Sequence, residues 1–126
     1  MSDAAPATYP HQAAIDAYGN GGFRFAEMSH RGALLFLPTG VFAWQPADPA
    51  ALALDDFAPV LAVRDQITFL MLGTGDAQNF PPSAVREAFT DMHLGLEVMD
   101  TGAACRAHNV LLAEKRAFAT AVLPVD

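Results

Sequence analysis

The stretch Ile67 to Leu72 is apolar apart from Thr68, and it constrains the fold more than any other part of the sequence. It has the length of a strand, and a strand without polar alternation must be covered on both faces. A Gly-rich loop follows, and then Val85, Phe89 and Met92 recur at helical spacing. This order predicts an interior strand, a loop and a helix whose apolar stripe faces the sheet.

The remainder of the carboxyl half repeats this alternation. Leu96 to Met99 predicts a strand, Thr101 is expected to be the N-cap of a helix that reaches about Ala113, and Ala117 to Leu123 predicts a closing strand. The carboxyl half is therefore α/β, and the sequence leaves the direction of each strand open.

The amino half has the signals of antiparallel hairpins. Asn20-Gly21 supplies the positive φ angles of a tight turn, and Pro38-Thr39-Gly40 separates the apolar runs Ala33 to Leu37 and Val41 to Trp44. The connector after Pro46 is expected to hold a short helix, capped by Asp55 or Asp56, that stops before Pro59.

Composition bounds the class of protein. With 126 residues, 52% of them apolar, we expect a flexible tail over residues 1–12 and a single α/β domain over residues 13–126. The net charge of −7 disfavours nucleic acid and anionic membrane surfaces. A lone cysteine, no targeting pattern in the first twenty residues and no apolar run of about 20 residues predict a cytoplasmic protein without membrane insertion.

Gly73-Thr74-Gly75 lies between a predicted strand and a predicted helix, where backbone N–H groups could cradle an anion. Gln78 stands where the dinucleotide fingerprint needs Gly or Ala, and no Gly-Lys-Ser/Thr follows, so neither phosphate motif is complete. A tight structural turn is the favoured interpretation.

The segment from Asp100 to Arg106 begins a helix with small residues, which permit close approach of either the sheet or a ligand. Cys105 and His108 share a helical face, so a nucleophile pair is conceivable, but a thiol among Ala and Leu is usually buried and unreactive. Arg106 and Asn109 could bind an anion, or pair with an acidic neighbour such as Asp100.

These segments define one candidate crevice for a ligand or partner. If the strands that precede them are parallel, both loops emerge at the same edge of the sheet. The four histidines lack ligand spacing, no Ser nucleophile elbow is present and no carboxylate pair faces a strand end, so we expect no metal and no cofactor and favour a non-catalytic protein. The candidate residues are Gly73, Thr74, Gly75, Asp100, Thr101, Cys105, Arg106 and Asn109.

Several stretches in collinear order resemble one family. They are Tyr18 to Phe25, Leu34 to Val41, Leu72 to Gly75 and Glu97 to Glu114, where Ala107-His108 replaces the Thr-Tyr common in relatives. Across roughly residues 14–124 the chain resembles the family of domains of unknown function that includes the mitochondrial respiratory complex I assembly factor 3 and bacterial and archaeal hypothetical proteins.

The resemblance implies a three-layer α/β arrangement with a central mixed β-sheet, flanking helices and an added antiparallel β-hairpin. It implies no established catalytic residue. From it we expect an interaction or accessory protein with a protein partner, which assists assembly of a respiratory or other membrane complex. The alternative is a domain that binds a small molecule or anion in the candidate crevice, and the two differ in whether those loops converge on an open pocket.

Overall fold

The computed structural model describes residues 8–126, which form two β-sheets and three α-helices joined by short 3-10 turns. The strands are β1 Ala17–Gly19, β2 Gly22–Phe25, β3 Met28–Arg31, β4 Ala33–Leu37, β5 Gly40–Trp44, β6 Phe69–Thr74, β7 Gly95–Met99 and β8 Phe118–Leu123. The helices are α1 Ala58–Ala62, α2 Ser83–Asp91 and α3 Thr101–Ala113.

The central sheet has the order β5-β4-β8-β6-β7 and is mixed. Strands β6, β7 and β8 are parallel, whereas β4 pairs antiparallel with both β5 and β8. The prediction of an interior strand after Gln66 is confirmed, but β6 runs from Phe69 to Thr74 instead of from Ile67 to Leu72. Ile67 is buried but ends a 3-10 turn, and pairing with β8 extends the ladder to Thr74.

Alternation along the strands gives the sheet two buried faces and the molecule three layers. Leu35 and Leu37 of β4 pack with α2 residues such as Phe89, in the larger core. Leu34 and Phe36 face the other way and pack against β2 and α3. Helices α1 and α2 cover one face of the central sheet, while α3 and the smaller sheet cover the other. The predicted three-layer α/β arrangement with a mixed sheet is therefore confirmed.

The added hairpin is also confirmed and continues into a third strand. Asn20 and Gly21, with φ of 53° and 79°, join β1 to β2, and Gly19 pairs with Gly22. The turn into β3 is formed by Ala26 and Glu27, both also with positive φ. Residues of these types rarely mark such a turn, so β3 had no sequence signal.

The connector and the amino-terminal segment differ in part from what the sequence predicts. The connector helix is confirmed in part: a 3-10 turn spans Leu54–Phe57, and the Asp56 carboxylate accepts from the Ala53 N–H at its start at 2.9 Å. The prediction that the helix stops before Pro59 was wrong, because α1 begins at Ala58 and contains Pro59 in its first turn, where the missing N–H costs nothing. Of the predicted tail, residues 1–7 lie outside the described residues, whereas Thr8 and Tyr9 hydrogen-bond to Val41 of β5.

Candidate functional site

The carboxyl ends of β6 and β7 meet at one edge of the sheet, as their parallel pairing requires. The Thr101 N–H donates to the Gly75 carbonyl oxygen at 2.8 Å. The prediction that the two loops lie side by side is therefore confirmed. We call the meeting point of Gly73, Thr74, Gly75, Asp100 and Thr101 the strand-end junction; whether it binds a ligand stays a prediction.

Thr101 connects the three parallel strands at this junction. Its hydroxyl donates to the Leu123 carbonyl oxygen at 2.6 Å and accepts from the Gly75 N–H at 2.9 Å. The side chain is fully buried. A single hydroxyl thus pairs backbone groups at the ends of β6 and β8 from the first turn of α3.

Gly73 lets α3 approach β6 closely. A Cβ at this position would lie 3.0 Å from both the Ala104 Cβ and the Thr101 Cα, which is tighter than ordinary van der Waals contact. The small residues between Asp100 and Arg106 therefore let the helix pack closely against the sheet. This was one of the two interpretations that the sequence left open.

Thr74 and Gln78 hold the loop that leads away from β6. The Thr74 hydroxyl donates to the Ala77 carbonyl oxygen at 2.6 Å and accepts from the Asn79 N–H at 2.9 Å. Gln78 donates to the Val98 carbonyl oxygen at 2.9 Å, on the open edge of β7. These polar groups are paired with backbone of the same domain.

Asp100 caps α3. Its carboxylate accepts from the Ala103 N–H at 2.8 Å, and its backbone is extended. The expectation that Thr101 is the N-cap was wrong, because Thr101 is the first helical residue and its hydroxyl is used for the junction. An aspartate caps as well as a threonine, so the sequence allowed either assignment.

Cys105 is buried, as predicted, and burial raises the pKa of its thiol to about 12; Arg106 lowers that pKa and Asp100 raises it by smaller amounts. A thiol protonated at neutral pH is a poor nucleophile. We predict that a disulfide reagent labels Cys105 slowly in the native protein and rapidly in denaturant. Rapid native labelling would contradict this.

His108 is fully buried and both of its ring nitrogens have partners other than Cys105. Nε2 lies 2.8 Å from the Ala13 carbonyl oxygen and Nδ1 lies 2.8 Å from the Thr120 hydroxyl. Because a carbonyl only accepts, Nε2 carries the proton and Nδ1 accepts from Thr120. Burial lowers the pKa of His108 to about 4, against a smaller upward effect of the Ala13 hydrogen bond. The ring joins α3 to β8 and to the amino-terminal segment.

Asn109 binds that same segment through its amide. Its side-chain oxygen accepts from the Ile15 N–H at 2.8 Å, and its nitrogen donates to the Ile15 carbonyl oxygen at 2.9 Å. The contact mimics a strand pairing. The amide that the sequence offered for an anion is thereby occupied by backbone.

Arg106 is the exposed member of the candidate set. It lines a shallow groove between β1 and α3, together with Cys105, Asn109, Tyr18 and Asp16. A Cβ on Gly102 would meet the Tyr18 hydroxyl, which places the tyrosine over the start of α3. The eight candidate residues therefore fall into a buried junction and this groove.

Sequence reasoning missed the outer face of the smaller sheet. Phe23 and Phe25 point into the core, so Gly22 and Arg24 of the same strand face outward. The period-two pattern after the Asn20-Gly21 turn was a signal that one side of β2 faces outward. Because the sequence did not predict β3, it did not show that this side belongs to a three-stranded face.

Within residues 8–126, no three His, Cys, Asp or Glu side chains come together as a metal site. None of the helices in this part of the chain has the length and apolar character needed to cross a bilayer.

Solved structures share this fold along nearly the whole chain. A crystal structure described as an outer membrane protein of Bartonella henselae has 42% identity and a TM-score of 0.88, covering 94% of this chain and 99% of that one. An NMR structure of the Rpa2829 protein of Rhodopseudomonas palustris has 38% identity and a TM-score of 0.83, covering 99% of this chain and 93% of that one.

Among curated proteins, an uncharacterised protein of Rhodobacter capsulatus is 33% identical over 111 residues, covering 88% of this chain and 84% of its own length. Human NADH dehydrogenase [ubiquinone] 1 alpha subcomplex assembly factor 3 is 30% identical over 122 residues. That match covers 97% of this chain, which spans 64% of the length of the human protein.

The family model described as protein of unknown function DUF498/DUF598 matches residues 15–123, and these include both sheets, all three helices and the strand-end junction. This chain is therefore a member of the DUF498/DUF598 family.

Proposed function

We propose that this protein is a non-catalytic accessory factor that binds protein partners and assists assembly of a respiratory or other membrane complex. The observation that carries the proposal is the match to human NADH dehydrogenase assembly factor 3 across 97% of this chain. The matched region covers nearly all of the fold described above.

The geometry of the candidate crevice supports a binding role over a chemical one. Thr74, Thr101 and Asn109 are hydrogen-bonded to backbone of the domain. The buried thiol of Cys105 has a raised pKa, and His108 is paired elsewhere. These side chains hold the fold together, which leaves exposed surface as the region where a partner can bind.

The test is deletion of the gene in its own host, with native gel electrophoresis of the membranes. We expect less mature NADH dehydrogenase or another respiratory complex, accumulation of its subassemblies, and recovery when the gene is supplied again. Unchanged amounts of every respiratory complex in the deletion strain would contradict the proposal. Fractionation of the same host tests the expected cytoplasmic location.

The alternative, a small-molecule or anion site, stays a prediction for the candidate crevice. Arg106 is its exposed cation, so Arg106→Ala should abolish binding of a metabolite found by thermal shift and leave the midpoint without ligand nearly unchanged. Lys115→Ala, which removes an exposed cation at the other end of α3, is the control. A lower midpoint of Arg106→Ala without ligand would instead indicate a structural role.

A further inference from the structure

The outer face of the three-stranded sheet has a charge opposite to that of the protein as a whole. Its members follow from the register: Ala17 and Ser29 lie opposite Arg24, while Gly19 and Arg31 lie opposite Gly22. We call these six residues the ribbon face. It contains two arginines and no carboxylate, in a chain whose net charge is −7.

The acidic residues are concentrated elsewhere in the chain. Residues 48–100 contain nine acidic and two basic side chains, whereas residues 8–47 contain two of each. The ribbon face is thus a local positive area on an acidic molecule. Such an area attracts a segment of opposite charge.

The two guanidinium groups are accessible and available. Arg24 and Arg31 are exposed, and within residues 8–126 neither has a carboxylate oxygen within 4.0 Å. The Arg31 Nη1 lies 3.5 Å from the Asn20 carbonyl oxygen, so this group reaches across the turn. Within residues 8–126, this long hydrogen bond is therefore the one that the two guanidinium groups make.

The ribbon face is concave, and its other four members are small residues. All six residues of the ribbon face line one depression on the small sheet. Residues on diagonal positions of neighbouring strands have Cα atoms roughly 7–8 Å apart, a spacing that two carboxylates of one extended segment can match. The depression has a volume of about 430 Å³, which is more than a single small anion fills and suits a polypeptide segment better.

We propose that the ribbon face docks an acidic segment of a partner protein, with Arg24 and Arg31 each pairing a carboxylate. The inference rests on the proposed function and deepens it by giving the chemistry of the partner. Nucleic acid and anionic membranes fit less well, because their charge extends over lengths that also face the acidic remainder of this protein.

The direct test is an NMR titration of the full chain with a peptide of alternating glutamate and threonine. We expect backbone amide shifts confined to residues 17–31, weaker binding at high salt, and a dissociation constant at least about tenfold higher for Arg24→Glu/Arg31→Glu. Arg24→Lys/Arg31→Lys should retain binding in part. The matched control Arg64→Glu/Arg116→Glu makes the same change in net charge away from the face and should bind as the wild type does.

Three results would overturn the inference. They are shifts outside residues 17–31, equal binding by the control and the ribbon-face charge reversal, and preferential binding of inorganic phosphate or of vesicles containing phosphatidylglycerol. The first two results would show that the acidic peptide does not bind at the ribbon face. The third would show that the ligand is another kind of anion.

Complementation of the deletion strain separates this inference from the proposed function. If the wild-type gene restores the respiratory complexes and Arg24→Glu/Arg31→Glu does so fully, the ribbon face is not the docking surface although the assembly role stands. If the deletion itself has no effect on these complexes, the assembly role fails, and the titration still decides the face. We expect the charge reversal to fail in complementation and Arg64→Glu/Arg116→Glu to succeed.

Discussion

The strand-end junction and the ribbon face use polar residues in opposite ways. At the junction, the Thr101 hydroxyl is buried and bonded on both sides to backbone. On the ribbon face, Arg24 and Arg31 are exposed and lack carboxylate partners within residues 8–126. The first region is built for stability and the second is available for recognition, so substitutions in the two should affect different measurements.

Thr101→Val should have the largest effect on stability. Valine keeps the shape but leaves the Leu123 carbonyl and the Gly75 N–H without their partner, and each such group costs about 1–3 kcal/mol. We expect the free energy of unfolding, measured with urea, to fall by about 4 kcal/mol. Thr101→Ser keeps the hydroxyl and should lose only about 1 kcal/mol for the methyl group. Equal losses for the two variants would mean that the hydroxyl contributes little.

Acid should destabilise the protein through His108, at the contact of α3 with β8. Its pKa is about 4 in the folded protein and 6.5 in the reference state, so between these values the unfolded chain binds a proton that the folded protein does not. The free energy of unfolding should therefore fall as the pH drops from 6.5 to 4, by about 3 kcal/mol.

The contribution of His108 is isolated by comparing variants. His108→Gln should be less stable at neutral pH and should lack this part of the pH dependence. His93→Asn replaces an exposed histidine whose positive φ suits asparagine, and it should keep the dependence. A wild-type slope retained by His108→Gln would assign the effect to other groups.

Asn109→Asp tests the contact between α3 and the amino-terminal segment. The change removes one donor and places a carboxylate against the Ile15 carbonyl oxygen, so we expect a loss of about 2 kcal/mol in urea unfolding. Asn79→Asp makes the same chemical change on an exposed loop and should cost much less. Similar losses at both positions would indicate that the Ile15 pairing is weak.

The charge reversal Arg24→Glu/Arg31→Glu should have the smallest effect on stability. Exposed substitutions without a specific partner usually change the free energy of unfolding by no more than about 0.5 kcal/mol each. Thermal unfolding should therefore be close to that of the wild type, while binding of the acidic peptide is lost. A large drop in the midpoint would place these arginines with the structural residues of the junction.

Local sequence signals predicted the elements well where the chemistry of a few residues decides the backbone. Asn20-Gly21 predicted a turn because both residues tolerate positive φ, and Ala33 to Leu37 predicted a strand that has those same bounds. The Ala26-Glu27 turn has the same backbone conformation without the favoured residues, and for that reason β3 was missed.

The candidate site was predicted only in part. The parallel order of β6 and β7, which the sequence left open, brings the two loops together. The sequence did not predict what their polar groups bind. Thr101 pairs with a residue that lies 22 positions away in the sequence, and Asn109 pairs with one that lies 94 positions away. Either side chain could equally have faced a ligand.

The sequence by itself determined the α/β class, the hairpins, the family and the presence of an interior strand, since each depends on local periodicity, turn chemistry or collinear motifs. Only the tertiary structure decided which polar groups are buried and which remain exposed. Pairing across the small sheet places Arg24 and Arg31 on one outer face. Packing of α3 pairs the Thr101 hydroxyl and the Asn109 amide with backbone groups, so these groups are not available to a ligand. Burial and pairing are properties of neighbours distant in the chain, and no local pattern encodes them.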